Sequence, residues 1–84
     1  MKVYVLFIEQ VVDYEVIRQD VKVYANKQKA LSEFSEFVFD EKMFVARDEW
    51  TILNDKEDLF EAYEEGSYAC NHTIAEVICT DVID

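Results

Sequence analysis

The hydrophobic pattern of the chain changes period at Asn26, and this change limits the folds open to it. Before Asn26 the apolar residues form a continuous run or alternate with polar ones, which is typical of β-strands. After Asn26 they recur every three to four residues as far as about Arg47, which predicts a helix of about twenty residues, roughly 30 Å long. Because the chain has 84 residues, such a helix needs a sheet to cover.

The segments on either side of this helix have strand patterns. The first is apolar on both faces, which predicts a central strand covered on both sides, or one covered on one side and paired with something on the other. The second alternates Val21 and Val23 with polar residues, and its short connection to the first predicts an antiparallel hairpin. The predicted strands are 3–8, about 15–25, 50–53 and 73–83.

Segment 59–65 is compatible with two structures. Asn54 begins a sequence that resembles a capping box, and Gly66 would suit a helix C-terminus. Alternation of apolar and acidic residues favours a strand instead, and we favour the strand. The element order is then β-β-α-β-(β)-β. It predicts one α+β domain over residues 1–84, a mostly antiparallel sheet of four to five strands with one long helix packed on it.

The chain is strongly acidic, and its charge is uneven. Residues 1–31 hold five basic and four acidic side chains, whereas 32–84 hold three basic and fifteen acidic ones, so the net charge of −11 belongs to the second part. Such a field repels nucleic acid phosphates and anionic membranes, and we expect neither as a direct partner. It favours a basic protein surface, including one that also binds nucleic acid.

A set of carboxylates in the second part is the candidate partner-binding face. Along the helix their axial separations are about 4.5 and 6 Å, comparable to the spacing of charge along a nucleic acid strand. The alternative is a solvated surface that serves only solubility. The set consists of Glu33, Glu36, Asp40, Asp55, Glu57, Asp58, Glu61, Glu64 and Glu65.

The second half of the predicted helix carries more apolar residues than one buried stripe needs. Phe39 and Met43 project away from the main stripe, and Phe44 flanks it. Two explanations are open: a break in the helix near Asp40, or a helix covered by something else, such as a second copy of the chain. Phe39, Met43 and Phe44 are therefore a candidate dimer or partner patch.

The sequence predicts no catalytic, metal or cofactor site. Cys70 and His72 are close enough to suggest a nucleophile or zinc ligands, but structural zinc needs four ligands. With Gly66 as the single glycine, a glycine-rich phosphate loop is excluded. We expect His72 to make an ordinary hydrogen bond and Cys79 to be a small core residue. The two cysteines and the lack of an export signal or membrane span predict a cytoplasmic protein.

Several segments resemble short uncharacterised acidic proteins of bacteria and of their phages and mobile elements. These segments are Lys2–Leu6, Val23–Lys27 and the run Phe60–Tyr68 followed by Asn71–Thr73. The resemblance implies a small protein associated with phages or mobile elements. In size and charge, small acidic proteins of that origin often resemble DNA mimics that block restriction or CRISPR machinery.

Two functions follow as expectations. The first is a non-enzymatic, acidic protein-binding module, in its narrowest form a nucleic-acid-mimicking inhibitor of a DNA- or RNA-handling protein. The second is a structural or homodimeric domain whose acidity serves solubility.

Overall fold

The computed structural model describes residues 1–82. In chain order its elements are β1 (Lys2–Val12), β2 (Glu15–Tyr24), α1 (Lys27–Arg47), β3 (Thr51–Asp55), β4 (Leu59–Tyr63) and β5 (His72–Asp81). The predicted α+β class and element order are confirmed. The ambiguous segment forms the strand β4, and Ile83, predicted as the end of the last strand, lies outside the described residues.

The five strands form one antiparallel sheet in the order β2-β1-β5-β4-β3. β1 lies between β2 and β5, which agrees with the apolar character of both its faces. After β2 the chain crosses one side of the sheet as α1 and enters the far edge as β3. β3 and β4 then lead back to the centre, where β5 completes the sheet beside β1.

α1 begins as the sequence predicts and continues unbroken. The Asn26 side chain accepts a hydrogen bond from the Lys29 backbone N–H at 3.1 Å, which satisfies one of the free donors of the first turn. The helix passes through Asp40 without interruption, so the expectation of a break there is wrong. Its buried stripe consists of Ala30, Phe34, Phe37, Val38, Glu41 and Val45.

The C-terminus of α1 turns back onto the helix. Glu49 has a φ of 57°, in the left-handed region, and the Trp50 N–H donates to the Val45 carbonyl at 3.0 Å. This is the hydrogen bond of a Schellman motif, in which a residue after the helix returns to its last turn. The turn brings the Trp50 ring edge-on to Phe44, with ring centroids 5.1 Å apart.

The buried stripe of α1 packs on one side of the sheet. Cross-strand register places Leu6 opposite Val77 and Ile8 opposite Ala75, so these side chains share the side that α1 covers. Apolar burial on this side supplies most of the stabilisation that the fold can draw on. The strand residues of this core are Leu6, Ile8, Phe60, Ala62, Ala75 and Val77.

Within residues 1–82 no helix covers the other side of the sheet, and we call that side the open face. Because side chains alternate along a strand, the register assigns every second residue to it. Val3 and Val11 of this face are buried, and its other members are partly or largely exposed. Its members on β1, β2, β4 and β5 are Val3, Val5, Phe7, Glu9, Val11, Val16, Gln19, Val21, Val23, Leu59, Glu61, Tyr63, His72, Ile74, Glu76, Ile78 and Thr80.

Cys79 is exposed, so the expectation that it is a core residue is wrong. It lies on the same side of the sheet as Val77, but at the end of the strand, beside Lys2 and Lys27. The first turn of α1 starts there and does not cover it. Alternation therefore gave the side of the sheet correctly and the burial incorrectly.

The end of the β1–β2 hairpin is held by the loop between β4 and β5. Asp13 and Tyr14 have φ values of 51° and 66°, the positive pair that the turn of a two-residue hairpin needs. The Asp13 N–H donates to the Asn71 side-chain oxygen and the Tyr14 N–H to the Cys70 carbonyl, each at 3.0 Å. These bonds tie the hairpin turn to the chain just before β5.

Candidate functional site

The three predicted carboxylates of α1 lie along a groove between the helix and β2. Glu36 and Asp40 are exposed, and Glu33 is half-buried. Two cations of β2 line the same groove: Lys22 Nζ lies 3.5 Å from Glu33, and Arg18 lies over the Phe37 ring. β2 therefore partly neutralises this group of acids.

Tyr24, at the end of β2, couples to this group. Its hydroxyl donates to the Glu33 carboxylate, and that hydrogen bond raises the pKa of Tyr24 to about 12. The same bond is the main cause that lowers the pKa of Glu33, and the charge of Lys22 acts in the same direction. The helix and the edge strand are thus joined by a hydrogen-bonded, charged contact.

The remaining predicted carboxylates are at two other places. Asp55, Glu57 and Asp58 are exposed around the β3–β4 turn, where Lys42 Nζ lies 2.9 Å from Asp55. Glu61 is on the open face, across the sheet from α1, and Glu64 and Glu65 are in the loop that follows β4. The nine carboxylates are therefore distributed over three regions and do not form one continuous face.

The predicted apolar patch on α1 is divided. Phe39 and Met43 are 69% and 65% exposed, whereas Phe44 is half-buried against Trp50. Phe39 lies beside Asp55 in a depression that is also lined by charged residues. Phe39 and Met43 thus remain accessible, and Phe44 belongs to the packing at the end of the helix.

The open face carries exposed apolar side chains outside the core, and sequence reasoning did not identify it. Val21 and Val23 are 64% and 63% exposed, although both belong to the apolar side of their strand. They lie opposite Phe7 and Val5 of β1, and Val5 in turn lies opposite Ile78 of β5. The alternation of β2 and the two apolar faces of β1 were the signals for this surface.

One end of the open face is polar and tightly connected. His72 Nε2 lies 3.1 Å from Glu9, and His72 Nδ1 lies 2.7 Å from the Tyr68 carbonyl. The Tyr68 ring stacks on His72 with centroids 4.5 Å apart. Because both ring nitrogens face acceptors, neither can take a proton from a substrate without breaking one of these contacts.

Tyr68 closes this cluster against Glu61. The loop carries Tyr68 over the sheet, where its hydroxyl donates to Glu61, and Asn54 Nδ2 donates to the same carboxylate at 2.9 Å. Burial is the main cause that raises the pKa of Tyr68 to about 12, and the bond to Glu61 adds to it. Glu61, a predicted partner-binding residue, is thus held in a fixed orientation.

Cys70 and His72 do not face a common site. The Cys70 thiol lies 3.3 Å from the Asn71 side-chain nitrogen, whereas His72 is engaged by Glu9 and Tyr68. Among residues 1–82, no group of three or more His, Cys, Asp and Glu side chains is placed to hold a metal ion. No helix in the same part of the chain has the length and apolar character to cross a membrane.

Comparison with family models, with curated proteins and with solved structures gave no match. The functional argument therefore depends on the surfaces of this chain.

Proposed function

We propose that this protein is a non-enzymatic binding module that attaches to a basic protein through the open face. The observation that supports it is the exposed apolar part of that face at the β2 edge, where Val21 and Val23 lie on a sheet whose other side is already packed. An apolar surface that the fold does not cover is typical of a protein-binding site.

Carboxylates of the open face that have no neighbouring cation within residues 1–82 favour a basic partner. Glu76 lies between Phe7 and Leu59 in the cross-strand register, and Glu61 lies beside Ile74. Within residues 1–82, no lysine, arginine or histidine nitrogen lies within 4 Å of either carboxylate. A lysine or arginine of a partner, inserted among the apolar side chains, would supply the missing positive charge.

The area of the open face is sufficient for a specific complex. β1, β2 and β5 have ten or eleven residues and β4 has five; at about 4.8 Å between strands and about 3.3 Å per residue, they cover roughly 550 Å². The two partners together would then bury about 1,000 Å² or more, the lower bound for a specific interface.

A homodimer through the same face is the second candidate, because its exposed apolar residues could also pack against those of a second copy. The charge opposes it, since each copy carries −11 and self-association would bring like charges together. We therefore rank the basic partner first.

A narrower form of the proposal is that the partner's basic surface also binds nucleic acid. The support is the acidic half of the open face, which holds Glu61 and Glu76. The predicted row of α1 carboxylates lies on the opposite side of the sheet and does not take part. Displacement of the partner by a short DNA duplex would test this form. If the duplex and this protein bind the partner at the same time, the mimicry is excluded while the binding module stands.

The central experiment is capture from a bacterial lysate, followed by titration of the identified partner at about 0.1 M and about 1 M sodium chloride. We expect affinity to fall at least tenfold at the higher salt, because screening shortens the range of the charges. The double variant Val21→Gln/Val23→Gln, which keeps the charge, should lose at least tenfold in affinity. Phe39→Gln is the matched control, since it removes an equally exposed apolar residue from α1 and should bind normally.

Two results would contradict the proposal. One is unchanged affinity of the Val21→Gln/Val23→Gln variant. The other is a dimer, seen by light scattering, that this same variant dissociates, which would replace the basic partner with a second copy.

A further inference from the structure

A cavity lies on the helix side of the sheet, at the end where α1 stops. It has a volume of about 220 Å³. The Schellman turn supplies one wall, because it folds Trp50 against Phe44. The residues that define its character are Gln10, Glu41, Phe44, Trp50, His72 and Thr73.

Glu41 brings a buried carboxylate to this cavity. It belongs to the buried stripe of α1 and is 9% exposed. Gln10 Nε2 donates to one of its oxygens at 2.7 Å, and within residues 1–82 no lysine, arginine or histidine nitrogen lies within 4 Å. A carboxylate can accept several hydrogen bonds and is costly to bury without a cation, so this one is under-compensated.

Thr73 is a second, independent indication of a ligand. It lines the same cavity from β5, is 1% exposed, and its Oγ1 is buried without a hydrogen-bond partner. Buried hydroxyls are nearly always paired, and an unpaired one in a native fold needs an explanation. A ligand with a hydrogen-bond donor in the cavity would supply the missing partner of Thr73 Oγ1.

The surroundings of the cavity attract cations. An adjoining depression shares Phe44 and Trp50 with it and is lined by the carboxylates of Asp13, Asp48 and Glu64. The negative end of the α1 dipole points to the same place. Of these three carboxylates, Asp48 has a cation nearby, with Arg47 at 3.4 Å.

We propose that this cavity binds an organic ammonium ion, an NH₃⁺ group carried on an apolar stem or ring. The ammonium group, with three donors and no acceptor, would bond to the Glu41 carboxylate and to Thr73 Oγ1. The apolar part would lie against Phe44 and Trp50; the Phe44 ring also carries the Arg47 guanidinium, 5.3 Å from its centroid. The volume, about seven times that of a water molecule at about 30 Å³ each, fits six to nine non-hydrogen atoms.

This site lies on the helix side of the sheet, and His72 is a residue that it shares with the open face. The ammonium group has two sources, a free amine or the lysine side chain of another protein. The ligand series in the test distinguishes them.

The test is calorimetric titration of the full chain with benzylammonium, benzyl alcohol and ammonium chloride. We expect benzylammonium to bind with a Kd of about 0.1–1 mM, in the range of efficient ligands of this size. Benzyl alcohol should bind at least tenfold more weakly because it lacks the charge, and ammonium chloride at least tenfold more weakly because it lacks the apolar part. Tighter binding of Nα-acetyl-lysine methylamide than of benzylammonium would identify a lysine side chain, and the reverse order a free amine.

Three variants locate the binding. Glu41→Gln should weaken benzylammonium at least tenfold, and Thr73→Val, which keeps the shape, should weaken it several-fold. Glu36→Gln removes an exposed carboxylate from the same helix and is the matched control, with unchanged affinity expected. Thr73→Val should also raise the melting temperature of the unliganded protein, because it removes an unpaired hydroxyl. This variant keeps the test valid if Glu41→Gln does not fold.

Equal affinity for benzylammonium and benzyl alcohol would overturn the proposal. So would an unchanged affinity in folded Thr73→Val and Glu41→Gln. Neither result depends on whether a basic partner binds the open face, so failure here and failure of the proposed function are distinguishable.

Discussion

Two contacts between a tyrosine hydroxyl and a glutamate carboxylate join separate elements of the fold. Tyr24 donates to Glu33 across the groove beside α1, and Tyr68 donates to Glu61 on the open face. In each pair the neutral phenol is the donor, so the neighbouring carboxylate opposes its ionisation. The two pairs anchor the edge strand to the helix and the β4–β5 loop to the sheet.

We predict that two of the five tyrosines ionise at about pH 12 in the folded protein. An unfolded tyrosine ionises at about 10, so between pH 10 and 12 the folded state holds protons that the unfolded state has lost. Stability is therefore fully present below pH 10 and decreases as the pH rises towards 12. Phenolate absorbance during an alkaline titration, with denaturation followed by circular dichroism, measures both effects.

The variant Glu33→Gln separates the two tyrosines. It removes the charge beside Tyr24, so one of the two high transitions should move down towards 10 while that of Tyr68 stays at about 12. If both transitions stay in place, the charge of Glu33 is not what raises the first one. On the acid side, the lowered pKa of Glu33 gives stability that is lost as the pH falls through that pKa.

Among the elements, the end of α1 carries a local conflict between residue and conformation. Glu49 occupies the left-handed position of the Schellman turn with φ 57°, where glycine is preferred, and its side chain is exposed. Glycine at position 49 would remove the cost of the left-handed conformation and so stabilise the folded state by about 1–2 kcal/mol. The greater freedom of glycine in the unfolded chain cancels about 0.5–1 kcal/mol of this gain. We expect Glu49→Gly to raise the free energy of unfolding by about 0.5–1 kcal/mol, measured by urea denaturation.

Glu49→Gln is the matched control for this prediction. It removes the same negative charge from the C-terminal end of the helix dipole and leaves the backbone strain in place. If both variants stabilise the protein equally, the gain comes from the charge and the backbone explanation is wrong.

The elements were predictable to different extents from the sequence. The helix and its Asn26 cap depend on local signals, and the structure has both where the pattern placed them. The position of β5 between β1 and β4 depends on pairing between distant segments, for which the sequence has no local signal. Segment 59–65 had conflicting cap and alternation signals, and its pairing with β5 and β3 decided for a strand.

The candidate sites were less predictable than the elements. The uncovered apolar side of β2 could not be recognised before it was known which side α1 occupies. Glu41, by contrast, follows Phe37 and Val38 at helical spacing and precedes Val45 by four residues, so its place on the buried stripe was readable. Because acidic side chains usually face solvent, the spacing alone did not predict a buried Glu41. Thr73 gave no signal, because its burial comes from the strand order.

At the scale of the whole molecule, the uneven charge follows the sheet order. The nearly neutral segment 1–31 forms one edge of the sheet with β2 and reaches its centre with β1, and the acidic segment forms the rest. The open face spans both, so its neutral half holds the exposed valines and its acidic half holds Glu61 and Glu76. An apolar and a negative region then lie side by side on one surface, which suits a partner with the complementary pair.

The net charge of −11 on a domain this small should also make its stability depend on salt. The domain is 43 Å long and 17 Å thick, so at about 0.01 M salt, where screening acts over about 30 Å, its carboxylates repel one another through most of the molecule. At about 0.15 M the range is about 8 Å, and only local pairs such as Lys22 with Glu33 still interact. We therefore expect the melting temperature in sodium chloride to rise by several degrees over this range.

Two variants test this prediction. Glu65→Gln removes an exposed acid with no cation within 4 Å in residues 1–82, and it should raise the melting temperature at low salt and change it little at high salt. Glu33→Gln breaks the ion pair with Lys22 and should lower the melting temperature at both salt concentrations. If the melting temperature of the unaltered protein instead falls as salt is added, ion pairs outweigh the repulsion.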